Sequence, residues 1–241
     1  MTRTRFFIVL LAVVVLAHGT ARTQVDVDFG FLAGGNLSTL TGDTGQIFTG
    51  SEFDGFETLT ADLGTAKMGM TMGGFMVVSF DRDVSLRLEA IFTELGAKGT
   101  FTGVIDIDGL GLNDIEGDVS IKTTYVEFPL LVAFPLPVAD RSPLHGLLGM
   151  SICIATDSEM RFDSVISGYL YSDPLALNHR VRSLNYHGIA GIEYTAYLNE
   201  TPFLLGLRHE FGLRPFDENL GGDPDQEYKH RSWVATLGIL F

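Results

Sequence analysis

Apolar and polar residues alternate with a period of two along most of the chain, and this pattern restricts the fold more than any other feature. In segment 230–241, Trp233, Leu237, Ile239 and Phe241 share one face, and Ser232, Thr236 and Gly238 share the other. Because successive side chains of a β-strand point to opposite faces, this period predicts strands. Seven further segments show the same alternation: 25–33, 68–80, 84–95, 119–134, 145–154, 184–198 and 203–211.

The N-terminal segment has the composition of a secretory signal peptide. Arg3 and Arg5 precede an apolar run, residues 6–17, which small residues follow. This run is shorter than the roughly 20 residues that a transmembrane helix needs. We therefore expect residues 1–23 to be a cleaved signal peptide and residues 24–241 to be the β domain of an exported protein. Cys153 is the only cysteine, so we expect no disulfide within the chain.

The eight predicted strands are joined by connections of alternating length. Short connections at residues 81–83 and 199–201 and a moderate one at residues 135–143 alternate with long ones at residues 34–67, 96–118, 156–183 and 212–229. An even number of strands, with short turns at one edge and long loops at the other, is typical of an outer-membrane barrel. The chain has a net charge of −14, and the predicted long loops hold most of the acidic excess. We predict an all-β fold, an eight-stranded antiparallel transmembrane up-and-down β-barrel.

One face of the predicted strands carries charged residues beside glycines, and the other is aliphatic or aromatic. Side chains fill the lumen of an eight-stranded barrel, and the glycine-rich face suits that crowded interior. The apolar face is then turned towards lipid. Two arginines can pair only part of four glutamates, so we expect either a structural ion-pair network or, as an alternative, a proton or ion path. This predicted lumen charge network consists of Arg87, Glu89, Glu127, Glu193, Arg208 and Glu210.

Several short motifs resemble the PorT-like outer-membrane β-barrel proteins, often labelled the porin family. The most specific is Tyr125-Val126-Glu127-Phe128-Pro129-Leu130-Leu131, which is similar to their Tyr-x-Glu-x-Pro-Leu-Leu strand. Residues 29–38, 72–75, 86–90, 94–96, 188–191 and 207–213 resemble other strands of that family. The resemblance implies the outer membrane of a Gram-negative bacterium, with outer-membrane lipid and lipopolysaccharide as surroundings. PorT itself is associated with secretion, so an envelope protein partner is an open possibility.

The last strand resembles the signal by which the outer-membrane barrel assembly machinery recognises its clients. Trp233, Leu237 and Ile239 lie in phase with the terminal Phe241. We therefore expect that machinery to be a partner during biogenesis. The acidity of the chain argues against nucleic acid, which requires a basic surface.

The sequence contains no strong catalytic, cofactor or metal motif. The run from Asp106 begins like a calcium loop, but Leu110 and Gly117 occupy positions that need oxygen ligands. His230-x-Ser232 resembles the pair of the lipid A deacylases, yet it has the phase of the lumen face. We therefore expect no enzyme, no cofactor and no metal. The favoured role is structural or interaction-based; the alternatives are a narrow ion or small-solute channel and a soluble periplasmic lipocalin-like binding protein.

Overall fold

The structure, a computed structural model, describes residues 26–42, 45–48, 56–81, 84–107, 111–137, 143–166, 169–176, 181–216 and 228–241. The predicted signal peptide, residues 1–23, lies outside the described residues. Among the residues described, no helix is long and apolar enough to cross a membrane. The described chain contains ten strands: β1 Asp26–Thr41, β2 Gly45–Phe48, β3 Phe56–Asp81, β4 Val84–Ile107, β5 Gly111–Pro135, β6 Leu144–Ile166, β7 Tyr169–Ala176, β8 Leu184–Leu198, β9 Thr201–Gly212 and β10 Lys229–Leu240.

Eight of these strands form a closed antiparallel ring. The order around the ring is β1-β10-β9-β8-β6-β5-β4-β3, and β3 returns to β1. Closure is extensive, because β1 pairs with β10 from Gly30↔Leu240 to Thr41↔Lys229 and with β3 from Asp26↔Ser79 to Ser38↔Lys67. The remaining two strands are short additions, with β2 paired to β3 and β7 paired to β6. The predicted eight-stranded antiparallel barrel is confirmed.

The outer surface of the ring is apolar in the zone where all eight strands are paired side by side. Large apolar side chains stand exposed on every strand, including Phe31 at 64% and Leu148 at 59% of their full accessibility. We call this zone the apolar band; on the eight strands it includes Phe31, Met70, Leu88, Val132, Leu148, Ile192, Leu205 and Leu237. An outward-facing apolar zone suits hydrocarbon, and a closed ring leaves no unpaired strand edge there.

The predicted long loops at residues 34–67, 96–118 and 156–183 are wrong, because most of these residues belong to strands. In the fourth predicted long loop, 212–229, residues 217–227 lie outside the described residues. β3, β4, β5 and β6 continue beyond the apolar band through residues 56–67, 94–107, 111–124 and 155–166. We call these parts, together with β2 and β7, the extension. Its inner side chains pack with Leu40 of β1 and with three residues outside the strands, Val181, Phe216 and Tyr228, to form an apolar cluster that we call the extension core. Its members within the extension are Ala61, Leu63, Ala97, Phe101, Ile115, Val119, Ile121, Met160 and Phe162. This core keeps the strands paired where lipid no longer surrounds them.

The pairing of β3 with β4 is irregular where the apolar band meets the extension. Their register shifts between Asp62 and Thr65 and again between Ala66 and Thr71. Such bulges leave backbone groups without ladder partners. Two side chains of β1 contact the backbone of β4 at this level: Asn36 donates to the carbonyl of Glu94 at 2.9 Å, and Ser38 accepts from the N–H of Gly96 at 2.7 Å.

A two-residue turn joins β8 to β9 at the other end of the barrel. Asn199 and Glu200 both have positive φ, 49° and 69°. This left-handed conformation matches the twist of a tight hairpin, and asparagine adopts it at low cost. The short turn predicted at residues 199–201 is therefore confirmed, whereas residues 82–83 of the other short connection and residues 138–142 of the moderate one lie outside the described residues.

Two adjacent glycines of β1 differ in what surrounds them. Gly34 faces the lumen, and a methyl group there would collide with the carbonyl oxygen of Ala235 on β10. Gly35 faces outwards, and the nearest atom to a methyl group there would be 3.7 Å away. The missing side chain at Gly34 therefore lets β1 and β10 approach closely.

Candidate functional site

All six residues predicted for the lumen charge network lie inside the barrel. They come from β4, β5, β8 and β9, alternating with the outward residues of the apolar band. Each is buried, with at most 7% of its surface exposed. The inward phase follows from the two-residue period, because Arg87 and Glu89 flank the outward Leu88.

Five of the six charged residues form one connected set of ion pairs. Arg87 contacts Glu89 at 2.7 Å, from Nε to Oε1, and also pairs with Glu193. Arg208 contacts Glu89 at 2.8 Å and Glu210 at 3.5 Å. Glu89 therefore bridges both guanidinium groups. Buried charges are tolerated when they are paired in this way, and removing one partner is costly.

Glu127 is the member that this set leaves out. Neither of its carboxylate oxygens has a hydrogen-bond partner among the described residues, although the residue is fully buried. Its neighbour is the His187 imidazole, with Nδ1 3.6 Å from Oε1, and the single cysteine, Cys153, lies opposite Glu127 in the sheet register. Sequence reasoning missed His187 and Cys153 as partners of Glu127. Their shared inward phase was visible, but the register that aligns their strands was not.

Apolar side chains border the polar part of the lumen at both ends. Towards the extension lies the extension core. Towards the short turns the lumen holds Ala133, Leu147 and Leu204, all buried. Beside them the Phe75 ring lies 4.1 Å from the Arg87 guanidinium, a cation–π contact. The charge network therefore lies between two apolar layers.

The His230-x-Ser232 pair also faces the lumen. Both residues are 2% exposed, and the His230 ring packs against Phe216 and Tyr125 with centroids 4.5 Å and 5.7 Å away. The pair is thus inside the barrel, away from its lipid-facing surface.

Three residues of the predicted assembly signal lie on the outer face of β10, and the fourth, Phe241, directly follows that strand. Trp233, Leu237 and Phe241 are exposed, and Ile239 is half-buried. The Phe241 ring lies 5.7 Å from that of Phe31 on β1. These residues therefore belong to the apolar surface at the β1–β10 closure.

The outward face of the extension is polar and carries a groove of about 630 Å³. Cations and carboxylates line it together: Lys67, Lys98, Asp118, Glu159, Arg161 and Asp163. These side chains alternate with the extension core, as Lys98 and Thr100 do with Ala97 and Phe101. The outer surface thus changes from apolar to charged where the extension begins.

Two lysines beside this groove have shifted pKa values of opposite sign. Burial and the nearby Lys122 and Lys98 ammonium groups lower the pKa of Lys67 from its ordinary value of 10.5. A hydrogen bond to Glu94 raises the pKa of Lys122, and the two groups form an ion pair at 2.9 Å. Lys67 therefore has a destabilised charge and Lys122 a stabilised one.

Comparison with known proteins assigns the family. A family model described as "Outer membrane protein beta-barrel domain" matches residues 20–218. The chain belongs to this family. Together with the eight-stranded ring and its apolar band, the match identifies an integral outer-membrane protein of Gram-negative type. None of the curated proteins matches the chain.

Solved structures of small outer-membrane barrels are similar to this chain at low sequence identity. Ail of Yersinia pestis is 16% identical, with a TM-score of 0.39, over 90% of this chain and 99% of Ail. Neisserial surface protein A has 11% identity and a TM-score of 0.40, over 90% and 99%. OprG of Pseudomonas aeruginosa has 14% identity and a TM-score of 0.40, over 92% and 99%.

Proposed function

We propose that this protein is a non-enzymatic outer-membrane anchor that displays a folded β projection to a partner outside the membrane. The observation that carries the proposal is the extension, in which four strands leave the apolar band, keep an apolar core and turn a charged groove outwards. Mobile loops would not need such a core. A packed core stabilises a surface of constant shape, which is what recognition of a partner requires.

The dimensions of the extension support this role. Phe92 is the last outward residue of β4 in the apolar band, and beyond it the strand continues from residue 94 to residue 107. At about 3.3 Å per residue and a strand tilt of about 40°, this segment rises about 35 Å above the hydrocarbon. In outer-membrane barrels the short turns face the periplasm, so the extension points to the cell exterior.

The charges of the groove suit a polar partner. Lysine and arginine side chains alternate there with carboxylates, so a surface with both signs of charge would be complementary. The resemblance to PorT-like proteins supports an envelope or secretion-associated accessory role, with a protein as the partner. Lipopolysaccharide is the second candidate, because its phosphates could contact the same cations.

The alternatives are less well supported. A narrow channel would need a polar path through the lumen, but apolar side chains border the charge network at both ends. A lipocalin-like carrier would turn its apolar face inwards, and the apolar band is on the outside. Discrete single-channel conductance that Glu127→Gln abolishes would instead favour the channel.

Site-specific photo-crosslinking in intact cells tests the proposal. A photoreactive residue replaces Thr100, which lines the groove, and in the control it replaces Leu148, in the apolar band. We expect a discrete protein adduct from position 100 and only lipid adducts from position 148. If position 100 gives no adduct beyond those of position 148, the display role is wrong. If the adducts from position 100 carry lipopolysaccharide alone, the partner is this glycolipid and not a protein.

A further inference from the structure

Three potential metal ligands from three neighbouring strands meet in the lumen beside the charge network. Glu127 of β5, Cys153 of β6 and His187 of β8 each offer one donor atom, and these atoms lie within 4.8 Å of one another. The sheet register produces the grouping, since Glu127 pairs with Cys153, and Ser151, two residues from Cys153, pairs with His187. The grouping therefore follows from strand pairing and from the shared inward phase.

The side chains of this cluster are buried but poorly satisfied by the protein itself. Glu127, Cys153 and His187 are at most 1% exposed. Within the part of the chain that the structure describes, both oxygens of Glu127 and both ring nitrogens of His187 lack a hydrogen-bond partner. The thiol of Cys153 has a weak contact with the Ser151 hydroxyl at 3.6 Å. Buried polar groups are normally hydrogen-bonded, and a cation bound between Glu127 and His187 would give these atoms a partner.

We propose that Glu127, Cys153 and His187 bind a divalent transition-metal cation of the Zn²⁺ class. Sulfur, imidazole nitrogen and carboxylate oxygen are the donors that Zn²⁺ takes in proteins. A tetrahedral cation with bonds of about 2.0–2.3 Å holds its ligands about 3.4–3.8 Å apart, so small side-chain rotations close the group.

The charges of the site also balance. The Cys153 thiol releases its proton to solvent when its sulfur bonds to the metal. The thiolate and the Glu127 carboxylate then contribute two negative charges, which equal the charge of the cation, and His187 binds as the neutral imidazole. The Glu127 carboxylate, which forms no ion pair with Arg87 or Arg208 among the described residues, is thereby neutralised.

A second imidazole lies beside the cluster. The ring centroid of His230 is 6.5 Å from that of His187, and both of its nitrogens lack a hydrogen-bond partner. His230 is not among the residues whose donor atoms lie within 4.8 Å of one another, so the fourth coordination position is left to water. Because apolar layers border this part of the lumen, we expect the cation to enter before the barrel closes, so that binding is coupled to folding.

Refolding of the full chain into detergent micelles with Co²⁺ as the probe tests this site. Co²⁺ bound tetrahedrally to a thiolate absorbs in the near ultraviolet and the visible, and we expect these bands at about one cation per chain. Cys153→Ser should abolish the thiolate band, and His187→Gln should lower the bound Co²⁺ about tenfold or more. His209→Gln is the matched control, because that imidazole is on the outer face beside Trp233 and bonds to the Ser232 carbonyl.

The outcome does not depend on the display role, since a metal can bind whether or not the groove has a partner. If the wild-type chain folded with excess Co²⁺ holds no cation and shows no thiolate band, the proposal is wrong. It is equally wrong if Cys153→Ser keeps the wild-type spectrum. Should the variants not fold, X-ray absorption of the wild-type chain refolded with Zn²⁺ decides, and we expect one sulfur at about 2.3 Å with the remaining ligands at about 2.0–2.1 Å.

Discussion

Replacing Phe101 by alanine should loosen the extension while the barrel in the membrane stays folded. Phe101 is 2% exposed, and its ring packs edge-on against Phe162 with centroids 5.2 Å apart. It also lies over Gly117, whose missing side chain makes room for the ring. Truncation of a buried phenylalanine costs about 3–5 kcal/mol, of which the aromatic pair contributes about 0.5–1.5 kcal/mol. We therefore expect the free energy of opening of the extension to fall by about 4 kcal/mol.

Amide hydrogen exchange of the protein in lipid nanodiscs measures this change. At about 1.4 kcal/mol per factor of ten, protection in residues 97–105 and 115–121 should fall about a thousandfold. Phe128→Ala, on the outer surface of the barrel, is the control and should leave the protection of these amides unchanged. Phe101→Leu, which keeps most of the volume, should cost about 1–1.5 kcal/mol. A fall of less than tenfold for Phe101→Ala would refute the claim that the extension has a cooperative core.

Three further predictions concern the barrel and the extension. Gly34→Ala should destabilise the barrel by about 2–3 kcal/mol because its methyl group meets the backbone of the neighbouring strand, whereas Gly35→Ala should be near neutral. Urea unfolding in lipid vesicles measures both variants. Equal unfolding midpoints for the two would contradict the close approach of β1 and β10. In the same assay Arg208→Met should lower the free energy of unfolding by about 3–5 kcal/mol, because it leaves buried carboxylates unpaired. Lys122→Met removes a partly exposed ion pair and should cost less than about 1 kcal/mol. A smaller loss of stability for Arg208→Met would mean that the lumen is hydrated. Lys67 has a lowered pKa and therefore loses its charge at a lower pH than Lys122, so it should react with an amine reagent at lower pH. Mass spectrometry of competitively labelled protein measures the two reactivities. If Lys122 reacts at the lower pH, the assigned environments are wrong.

The part of the fold that could be predicted is the part in lipid. In β4, Leu88 and Phe92 face outwards and Arg87 and Glu89 inwards, and this contrast between apolar and charged positions is strong in the sequence. The ring of eight strands follows from repeating that contrast. The inward placement of the charged residues followed from phase and from the size of the lumen.

The extension was not predicted because its polarity is reversed. Beyond Leu95, the inward positions Ala97 and Phe101 are apolar, and the outward positions Lys98 and Thr100 are polar. The period of two continues, but the charged residues now mark the surface, as in a soluble sheet. High charge suggested solvated loops, although alternation was still present. The cluster of Glu127 with its neighbours escaped prediction for another reason, since its residues are far apart in sequence and only the register brings them together.

The reversal of polarity has a consequence for how the protein sits in the bilayer. Glu94 and Lys122 form the first charged pair above the apolar band, and Met68, at the edge of the band, is 78% exposed. A shift deeper by one pair of residues would move both charges into hydrocarbon, and a shift in the other direction would expose Met68 and its neighbours to water. Both displacements are unfavourable. The order of residues along the strands therefore sets the immersion depth, and with it the distance between the groove and the lipid.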